Sequence, residues 1–242
     1  MPFGDAHAAV EAISPEVGAM IVEPIQCESG GVVPPDGYLR DLAAACAASG
    51  VLLVVDEVKS GMGKTGKMFA CDFERVTPDV LLVGKSLGGG MMPIGAVMAK
   101  RKWWTKFGLS FAMTSSSGAG NRFACVAGLA TLDVIHSEKL CSNAERQGQC
   151  LKQGLVGLCS TFPAALRGVT GRGLLLGLHT ASRKVAYEIA AHCVRLGVLI
   201  LPAFLDRTCL LIEPPLCIND AQTAAVLSAL QHACDAVEPR HP

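Results

Sequence analysis

The run VLLVVDEV at residues 51–58 decides the fold class, because branched apolar residues continue without interruption until a charged pair ends them. Similar runs occur at 18–25 (VGAMIVEP), 79–85 (DVLLVGK) and 94–99 (IGAVMA). Continuous runs of this length are typical of strands that are buried on both faces, as in a parallel sheet covered by helices. The sequence therefore predicts an α/β fold around a mostly parallel sheet.

The segments between and after these runs predict helices and a second domain. Residues 34–50 (PPDGYLRDLAAACAASG) combine a turn, an Ala/Leu-rich helix and a terminating glycine, which gives a strand, helix, strand unit. Residues 122–158 are predicted to be helical. A new pattern begins at Pro163, with strands around 173–181, 197–203 and 209–216, a helix from about Ser182 to Leu196, and a final helix from Asp220. We expect a domain boundary between residues 135 and 160, and assign 1–145 and 146–242 to the two domains.

Composition excludes several classes of protein. Half of the 242 residues are hydrophobic and 17% are charged, which is typical of a globular protein with a substantial core. Lys plus Arg equals Asp plus Glu at 21 each, so no net charge favours nucleic acid or an anionic membrane. The longest apolar runs fall short of the roughly 20 residues that a membrane helix needs. We therefore expect no nucleic-acid partner and no membrane partner.

The eleven cysteines are irregularly spaced, with no CxxC pair and no Cys/His cluster at the spacing of metal ligands. This spacing argues against a metal site and against a disulfide framework. Reduced thiols of a cytosolic protein are the simpler interpretation, and the N-terminal residues MPFGDAHAAVEAI do not resemble a signal peptide. The sequence predicts a soluble, cytoplasmic protein.

Polar residues end three of the apolar runs, namely Glu23, Asp56 and Lys85. Ligands of open parallel sheets bind outside the carboxyl ends of the strands. Pyridoxal phosphate needs an amine that condenses with its aldehyde and an acid that keeps its pyridine nitrogen protonated. Each residue alone also suits an ordinary strand end, so the combination carries the prediction. Three glycines, 88–90, follow Lys85 and permit a tight turn beside a bulky ligand.

Three longer segments resemble consecutive motifs of the class III, pyridoxal-phosphate-dependent aminotransferases. These are EPIQCESGGVVPPDGYLR (23–40), VVDEVKSGMGKTGKMFA (54–70) and PDVLLVGKSLGGGMMPIGAV (78–97), in matching order and spacing. GRGLLLGL (171–178) and IEPPLCI (212–218) resemble that family's C-terminal domain. The motif sequences are similar to those of ornithine- and putrescine-type members. The resemblance runs from about residue 5 to residue 232.

This resemblance implies the type I fold of pyridoxal-phosphate-dependent transferases, with part of the large domain (a mixed, mostly parallel sheet) and a small C-terminal α/β domain. It also implies a transaminase that moves an amino group from an amine or omega-amino donor to a 2-oxo acid or aldehyde. Lys85 would form the Schiff base and act as general acid and base. Asp56 would pair with the pyridine nitrogen and Val58 would pack on the ring. Ser117 would hold the cofactor phosphate across a homodimer.

The chain departs from the family pattern around the cofactor. It resembles only the later half of the family, so we expect it to be truncated at its N-terminus, without the glycine/serine turn and the aromatic ring that hold the cofactor. The alternative is a non-catalytic fragment that acts through protein association. Lys59 replaces the glutamine that binds the phenolic oxygen of the cofactor. Gly118 and Arg122 replace phenylalanine and proline around Ser117.

Another departure bears on the substrate. Leu211 stands where members that bind an α-carboxylate have arginine, and leucine cannot pair with a carboxylate. Binding of 2-oxoglutarate then requires Arg207 or another cation. Glu23 is either a site for a cationic amine, such as a diamine, or a buried acid with a structural role.

A nucleotide site is a further alternative, because GMGKTG at 61–66 matches GxGxxG after a strand. The context argues against it, since Pro78 breaks the following segment and no acid is clearly placed about 20 residues later. Walker A fails as well, because Val58 stands where the first glycine is required.

Overall fold

Two structural units, each with its own sheet, make up the computed structural model of the chain, which describes residues 1–106 and 116–237. The first unit comprises Met1–Pro24, Pro34–Met62 and Lys67–Lys139, and the second comprises Ile25–Val33, Gly63–Gly66 and Leu140–Pro242. Two short N-terminal segments therefore belong to the second unit.

A four-stranded sheet organises the first unit. Its strands lie in the order β1 (Ala19–Val22), β2 (Leu52–Asp56), β3 (Val80–Val83) and β4 (Ala96–Ala99). Strands β1, β2 and β3 are parallel, and β4 is antiparallel to β3. The described residues of this unit form the helices α1 (Ala6–Glu11), α2 (Tyr38–Ser49), α3 (Arg101–Lys106) and α4 (Arg122–Ser137). The predicted mixed, mostly parallel sheet is confirmed.

The core of the first unit lies on one side of this sheet. Leu53 and Val55 of β2 are buried there with Leu42 and Cys46 of α2. Burial alternates along β1, where Ile21 is 64% exposed. The expectation that every apolar run is buried on both faces is therefore wrong for β1, because the core residues lie on only one side of this strand. It is also wrong for β4, where Val97 is 57% exposed and Met98 is 42% exposed.

The second unit contains an antiparallel sheet and three helices. Its strands are β5 (Leu166–Arg172), β6 (Leu175–Thr180), β7 (Leu201–Pro202) and β8 (Cys209–Ile212), in the order β5-β6-β8-β7. Its helices are α5 (Leu140–Thr161), α6 (Arg183–Arg195) and α7 (Asp220–Val237). Leucines 151, 155, 176, 178, 210 and 230 are fully buried in its core. None of the described helices of the chain combines the length and apolarity needed to cross a bilayer.

Some predicted elements differ from the structure. The single helix predicted at 122–158 is two helices, because Glu138 ends α4 and Lys139 has a positive φ of 52°. Strand β5 was not predicted, since its sequence LRGVTGR has two glycines and few apolar residues. The helix predicted from Ser182 is confirmed as α6, with the Ser182 side chain accepting a hydrogen bond from the Val185 amide.

Candidate active site

Three polar residues, Glu23, Asp56 and Lys85, lie at or just after the carboxyl ends of β1, β2 and β3. Val22, just before Glu23, pairs with Val55, just before Asp56. Asp56 pairs with Leu82 of β3, three residues before Lys85. Because β1, β2 and β3 are parallel, all three side chains follow carboxyl ends of strands on the same side of the sheet. This edge is where open α/β sheets bind their ligands.

Asp56 is the last residue of β2 and is half-buried. Its Oδ1 accepts a hydrogen bond of 2.9 Å from the Val58 amide, two residues later. This local bond fixes the carboxylate relative to its own backbone. A carboxylate can accept about four hydrogen bonds, so one internal bond leaves acceptor capacity for a ligand.

Lys85 begins a 3₁₀ turn, Lys85–Gly88, directly after β3. Its side chain is exposed and its φ is +44°, one of four positive values among the described non-glycine residues. The left-handed region costs a residue with a Cβ roughly 1–2 kcal/mol. Backbone strain of this kind concentrates at functional sites, so the conformation supports a role for this lysine.

Val58 packs against the backbone that precedes Lys85. A Cβ placed on Gly84 would lie 3.5 Å from Val58 Cγ1 and 3.7 Å from Cγ2. The loop after β2 therefore places an apolar side chain beside the lysine turn. Lys59, the next residue of that loop, is half-buried.

Helix α4 lies behind the lysine turn. Gly89 caps the turn with a φ of +60°, and a Cβ there would come within 2.6 Å of Thr131 Oγ1 in α4. Glycine is required at position 89 for both reasons. The role predicted for the triple glycine, a tight turn after the lysine, agrees with this geometry.

Ser117 lies in an exposed turn that leads into α4. Asn121 caps the helix, because its Oδ1 accepts hydrogen bonds from the Phe123 and Ala124 amides at 3.0 and 3.1 Å. The candidate phosphate residue is thus on the chain that enters the helix behind Lys85. Residues 113–115, the start of the altered loop, lie outside the described ranges. The contact of Ser117 with a cofactor phosphate stays a prediction.

Sequence reasoning missed Glu28, which lies within the second unit. Its Oε2 accepts a hydrogen bond of 2.9 Å from the Phe204 amide, and its carbonyl accepts from the Leu205 amide at 3.0 Å. Glu28 does not end an apolar run, so a search of strand ends passes over it. The sequence feature that could have drawn attention to Glu28 is its position in the EPIQCESGG segment, which resembles a family motif.

The glycine segment 61–66 has a structural role at its lysine. Lys64 Nζ donates hydrogen bonds to the carbonyl oxygens of Glu213, at 3.1 Å, and Pro214, at 2.7 Å. The Leu174 amide also donates to the Lys64 carbonyl, at 2.9 Å. These bonds connect the segment to residues that flank β6 and β8 in the second unit, and they give Lys64 a structural role that needs no nucleotide phosphate.

A family profile described as Aminotransferase class-III matches residues 4–234. The chain belongs to the class III aminotransferase family. The segments that resemble motifs of this family all lie within this range, and so do Asp56 and Lys85.

Solved structures of class III aminotransferases have the same fold as this chain. Ornithine aminotransferase from Plasmodium yoelii is 32% identical with a TM-score of 0.91, covering 98% of this chain and 62% of that chain. Ornithine aminotransferase from Toxoplasma gondii is 33% identical with a TM-score of 0.91, covering 98% and 55%. Acetylornithine aminotransferase from Elizabethkingia anophelis is 30% identical with a TM-score of 0.84, covering 98% and 59%. This chain therefore spans less than two thirds of each of these three relatives.

Class III aminotransferases depend on pyridoxal phosphate, and the Toxoplasma gondii structure is described with this cofactor at partial occupancy in its active site. The groups at the carboxyl edge of the first sheet suit the cofactor chemically. Lys85 offers an amine to the aldehyde, Asp56 offers a carboxylate to the ring nitrogen, and Val58 offers an apolar surface to the ring. The residues present therefore fit this family's cofactor.

Leu211, which the resemblance aligns with an arginine of members that bind an α-carboxylate, has apolar surroundings in this chain. Leu211 lies in β8, is 9% exposed, and packs with Ala203 and Cys209. The guanidinium of Arg207 lies 4.8 Å over the Phe204 ring and 3.5 Å from the Tyr187 hydroxyl. Arg207 thus contacts two aromatic side chains, Phe204 and Tyr187, and its position precedes β8.

Proposed function

We propose that this chain supplies the lysine and the carboxylate of a pyridoxal-phosphate-dependent transaminase site. The reaction moves an amino group from an amine or omega-amino donor to a 2-oxo acid or aldehyde. One observation supports it above the others, namely that Asp56 and Lys85 follow neighbouring parallel strands at one edge, with Val58 packed against the lysine turn. Family membership supports the same reaction.

Each residue has a distinct part in this reaction. When bound, the cofactor supplies a carbonyl that amines attack and a ring that accepts electrons. The Lys85 Nζ would hold the cofactor at its aldehyde carbon, and the same amine would act as general acid and base for the proton that the amino transfer moves. The Asp56 carboxylate accepts a hydrogen bond from the protonated ring nitrogen. Val58 orients the ring, and Lys59 and Ser117 donate to the phenolic oxygen and to the phosphate.

The substrate class follows from Leu211. A buried leucine between apolar neighbours offers no partner to an α-carboxylate. We therefore propose that the amino donor is an amine without an α-carboxylate, such as a diamine, and that Glu23 binds its distal cation. A donor panel decides this point, because α-amino acids that react faster than diamines contradict it.

The partner proposed is a second copy of the chain, in a homodimer. Helix α4, which follows Ser117, exposes Phe123 by 79%, Val126 by 65% and Leu129 by 64%. Apolar side chains clustered on one exposed helix mark surfaces that associate. The proposed compartment is the cytoplasm, and the support for it is that all eleven cysteines are free thiols.

The experiment for the proposed activity is cofactor binding and trapping. The purified chain is expected to develop the visible absorbance of an imine with pyridoxal phosphate, and borohydride should fix the cofactor on the peptide that contains Lys85. Lys85→Ala should abolish both signals. Lys139→Ala is the matched control, because Lys139 is also exposed and has a positive φ of 52°. A folded wild-type chain that binds no cofactor would instead support the non-catalytic fragment.

A further inference from the structure

Glu57 is a fully buried carboxylate to which the proposed reaction assigns no part. It is 0% exposed and stands between Asp56 and Val58. Side chains alternate along an extended strand, and Glu57 continues the face of Leu53 and Val55, which point into the core of the first unit. An acid therefore occupies a position where the strand pattern predicts an apolar residue.

Four hydrogen bonds fix Glu57. Its Oε2 accepts from Ser60 Oγ at 2.6 Å, and its Oε1 accepts from the Cys71 amide at 2.7 Å. Its own amide donates to the Leu82 carbonyl at 2.9 Å, and its carbonyl accepts from the Gly61 amide at 3.0 Å. The residue thus connects β3, the loop after β2 and the 3₁₀ turn Ala70–Phe73.

Burying a carboxylate at this position costs more free energy than burying an aliphatic side chain would. Desolvation of a charged group costs several kcal/mol unless its hydrogen-bonding capacity is satisfied. Burial accordingly raises the pKa of Glu57, and the hydrogen bonds from Ser60 and Cys71 oppose that rise. Packing alone does not explain why an acid occupies this position. The hydrogen bonds that its carboxylate accepts from Ser60 and Cys71 do explain it, because they fix the loop that follows β2.

The two residues beside Glu57 are those assigned to the cofactor. Asp56, the last residue of β2, leaves the strand on the face opposite to the buried Val55, and Val58 lies in the turn that follows Glu57. The Val58 amide donates to Asp56 Oδ1, and the Val58 methyl groups lie against Gly84, just before Lys85. A rotation of the backbone at residue 57 would move both side chains relative to the lysine turn.

We propose that Glu57 is a positioning residue for this site. Its buried carboxylate, bound by Ser60 and Cys71, sets the orientation in which Asp56 and Val58 meet the cofactor. The proposal rests on the proposed function for the identity of the ligand. The fixation of residues 56–58 by Glu57 is a property of the chain without cofactor and is measured separately below.

Glu57→Leu and Glu57→Gln separate positioning from packing. Leucine fills the site but leaves Ser60 Oγ and the Cys71 amide without their acceptor. Glutamine keeps an acceptor for the Cys71 amide and a polar partner for Ser60. We expect Glu57→Leu to bind pyridoxal phosphate about tenfold more weakly, equivalent to about 1.4 kcal/mol. Glu57→Gln should bind within about threefold of the wild-type chain, since it retains these bonds.

Hydrogen exchange of the cofactor-free chain measures the fixation itself. In Glu57→Leu we expect faster amide exchange at residues 57–61 and 70–73, with the strands of the second unit unchanged. Glu74→Leu is the matched control, because Glu74 is also a carboxylate of the first unit and its Oε2 accepts a hydrogen bond from the Arg40 amide of α2. This control should leave both cofactor affinity and exchange at 57–61 unchanged.

Ser60→Ala tests the same proposal if the Glu57→Leu variant does not fold. It removes the hydrogen bond from Ser60 Oγ to Glu57 Oε2 and should weaken cofactor binding about threefold. Equal cofactor affinity of the wild-type chain and the folded leucine variant, or of the wild-type chain and Ser60→Ala, overturns the proposal. Unchanged exchange at 57–61 in the leucine variant overturns it too. A wild-type chain that binds no pyridoxal phosphate contradicts the proposed function instead, and the exchange result then decides the fixation by itself.

Discussion

Asp79 is a residue whose charge stabilises the first unit in a way that depends on pH. It lies immediately before β3 and accepts hydrogen bonds from Lys100 Nζ at 3.0 Å, Trp103 Nε1 at 3.1 Å and the Leu53 amide at 3.3 Å. Burial raises the pKa of this carboxyl, but the hydrogen bonds from Trp103, Lys100 and Leu53 outweigh it, so the net pKa is lowered. The ionised carboxylate therefore favours the folded chain.

The expected consequence is a loss of stability at low pH. A group with a depressed folded pKa stabilises the protein above its unfolded pKa, here 3.8, and this contribution disappears as the pH falls through the folded pKa. Asp79→Asn should lower the free energy of unfolding by about 1–2 kcal/mol at pH 7. The difference should shrink below about pH 4. Urea unfolding at several pH values measures it, with the exposed Asp133→Asn as control, and a difference that persists undiminished at pH 2 contradicts the assignment.

Residues of the candidate site differ in how well the sequence reveals them. Asp56 and Lys85 could be found because each ends an apolar run, and the direction of parallel strands then places them at one edge. Glu57 could not be recognised, because its role depends on Cys71, which only the folded chain brings to its carboxylate. The contact of Glu28 with Phe204, within the second unit, could not be recognised either, since the two residues are 176 positions apart in the sequence.

Helix α5 approaches the turn between β5 and β6 so closely that one of its glycines cannot be replaced. A Cβ on Gly148 would lie 2.2 Å from the Gly173 carbonyl oxygen and 2.6 Å from its Cα. Gly148→Ala should therefore destabilise the chain by about 1–3 kcal/mol, despite the better helix propensity of alanine.

Gly157 is the matched control in the same helix. Nothing lies within 4 Å of a Cβ at Gly157, and its φ is not in the left-handed range. Gly157→Ala should stabilise the chain by up to about 1 kcal/mol. Thermal unfolding of both variants decides the matter, and a Gly148→Ala variant that raises the midpoint as Gly157→Ala does would show that helix propensity, not the close approach, governs position 148.

Elements were predictable where one apolar pattern covers a whole strand or helix. The runs at 51–58 and 79–85 gave β2 and β3, and Ser182 with the pattern after it gave α6. Strand β5 escaped prediction because Gly168 and Gly171 interrupt its apolar residues. Local patterns also cannot show that segments 25–33 and 63–66 join the second unit, because long-range hydrogen bonds such as that of Lys64 to Pro214 determine it.

At the scale of the whole molecule, the exposed apolar face of α4 is the surface that we expect to associate with a second copy of the chain. Phe123, Val126 and Leu129 each expose more than 60% of their surface, and they lie at intervals of three residues along one helix. Burying such side chains is worth roughly 1.5–3 kcal/mol each. Association of two copies through this face would cover them and would bring the Ser117 turn near the interface.

The double variant Phe123→Glu, Leu129→Glu tests this association. Charges on the face should convert a dimeric wild-type chain into monomers, as measured by light scattering coupled to size exclusion at micromolar concentration, because a buried unpaired carboxylate opposes association. Val156→Glu is the control, since Val156 is an apolar residue that is 51% exposed on a different helix, α5 of the second unit. A double variant that remains dimeric would place the interface elsewhere. A monomeric wild-type chain would contradict the homodimer, and Ser117 would then have no neighbouring subunit to which it could donate its hydroxyl.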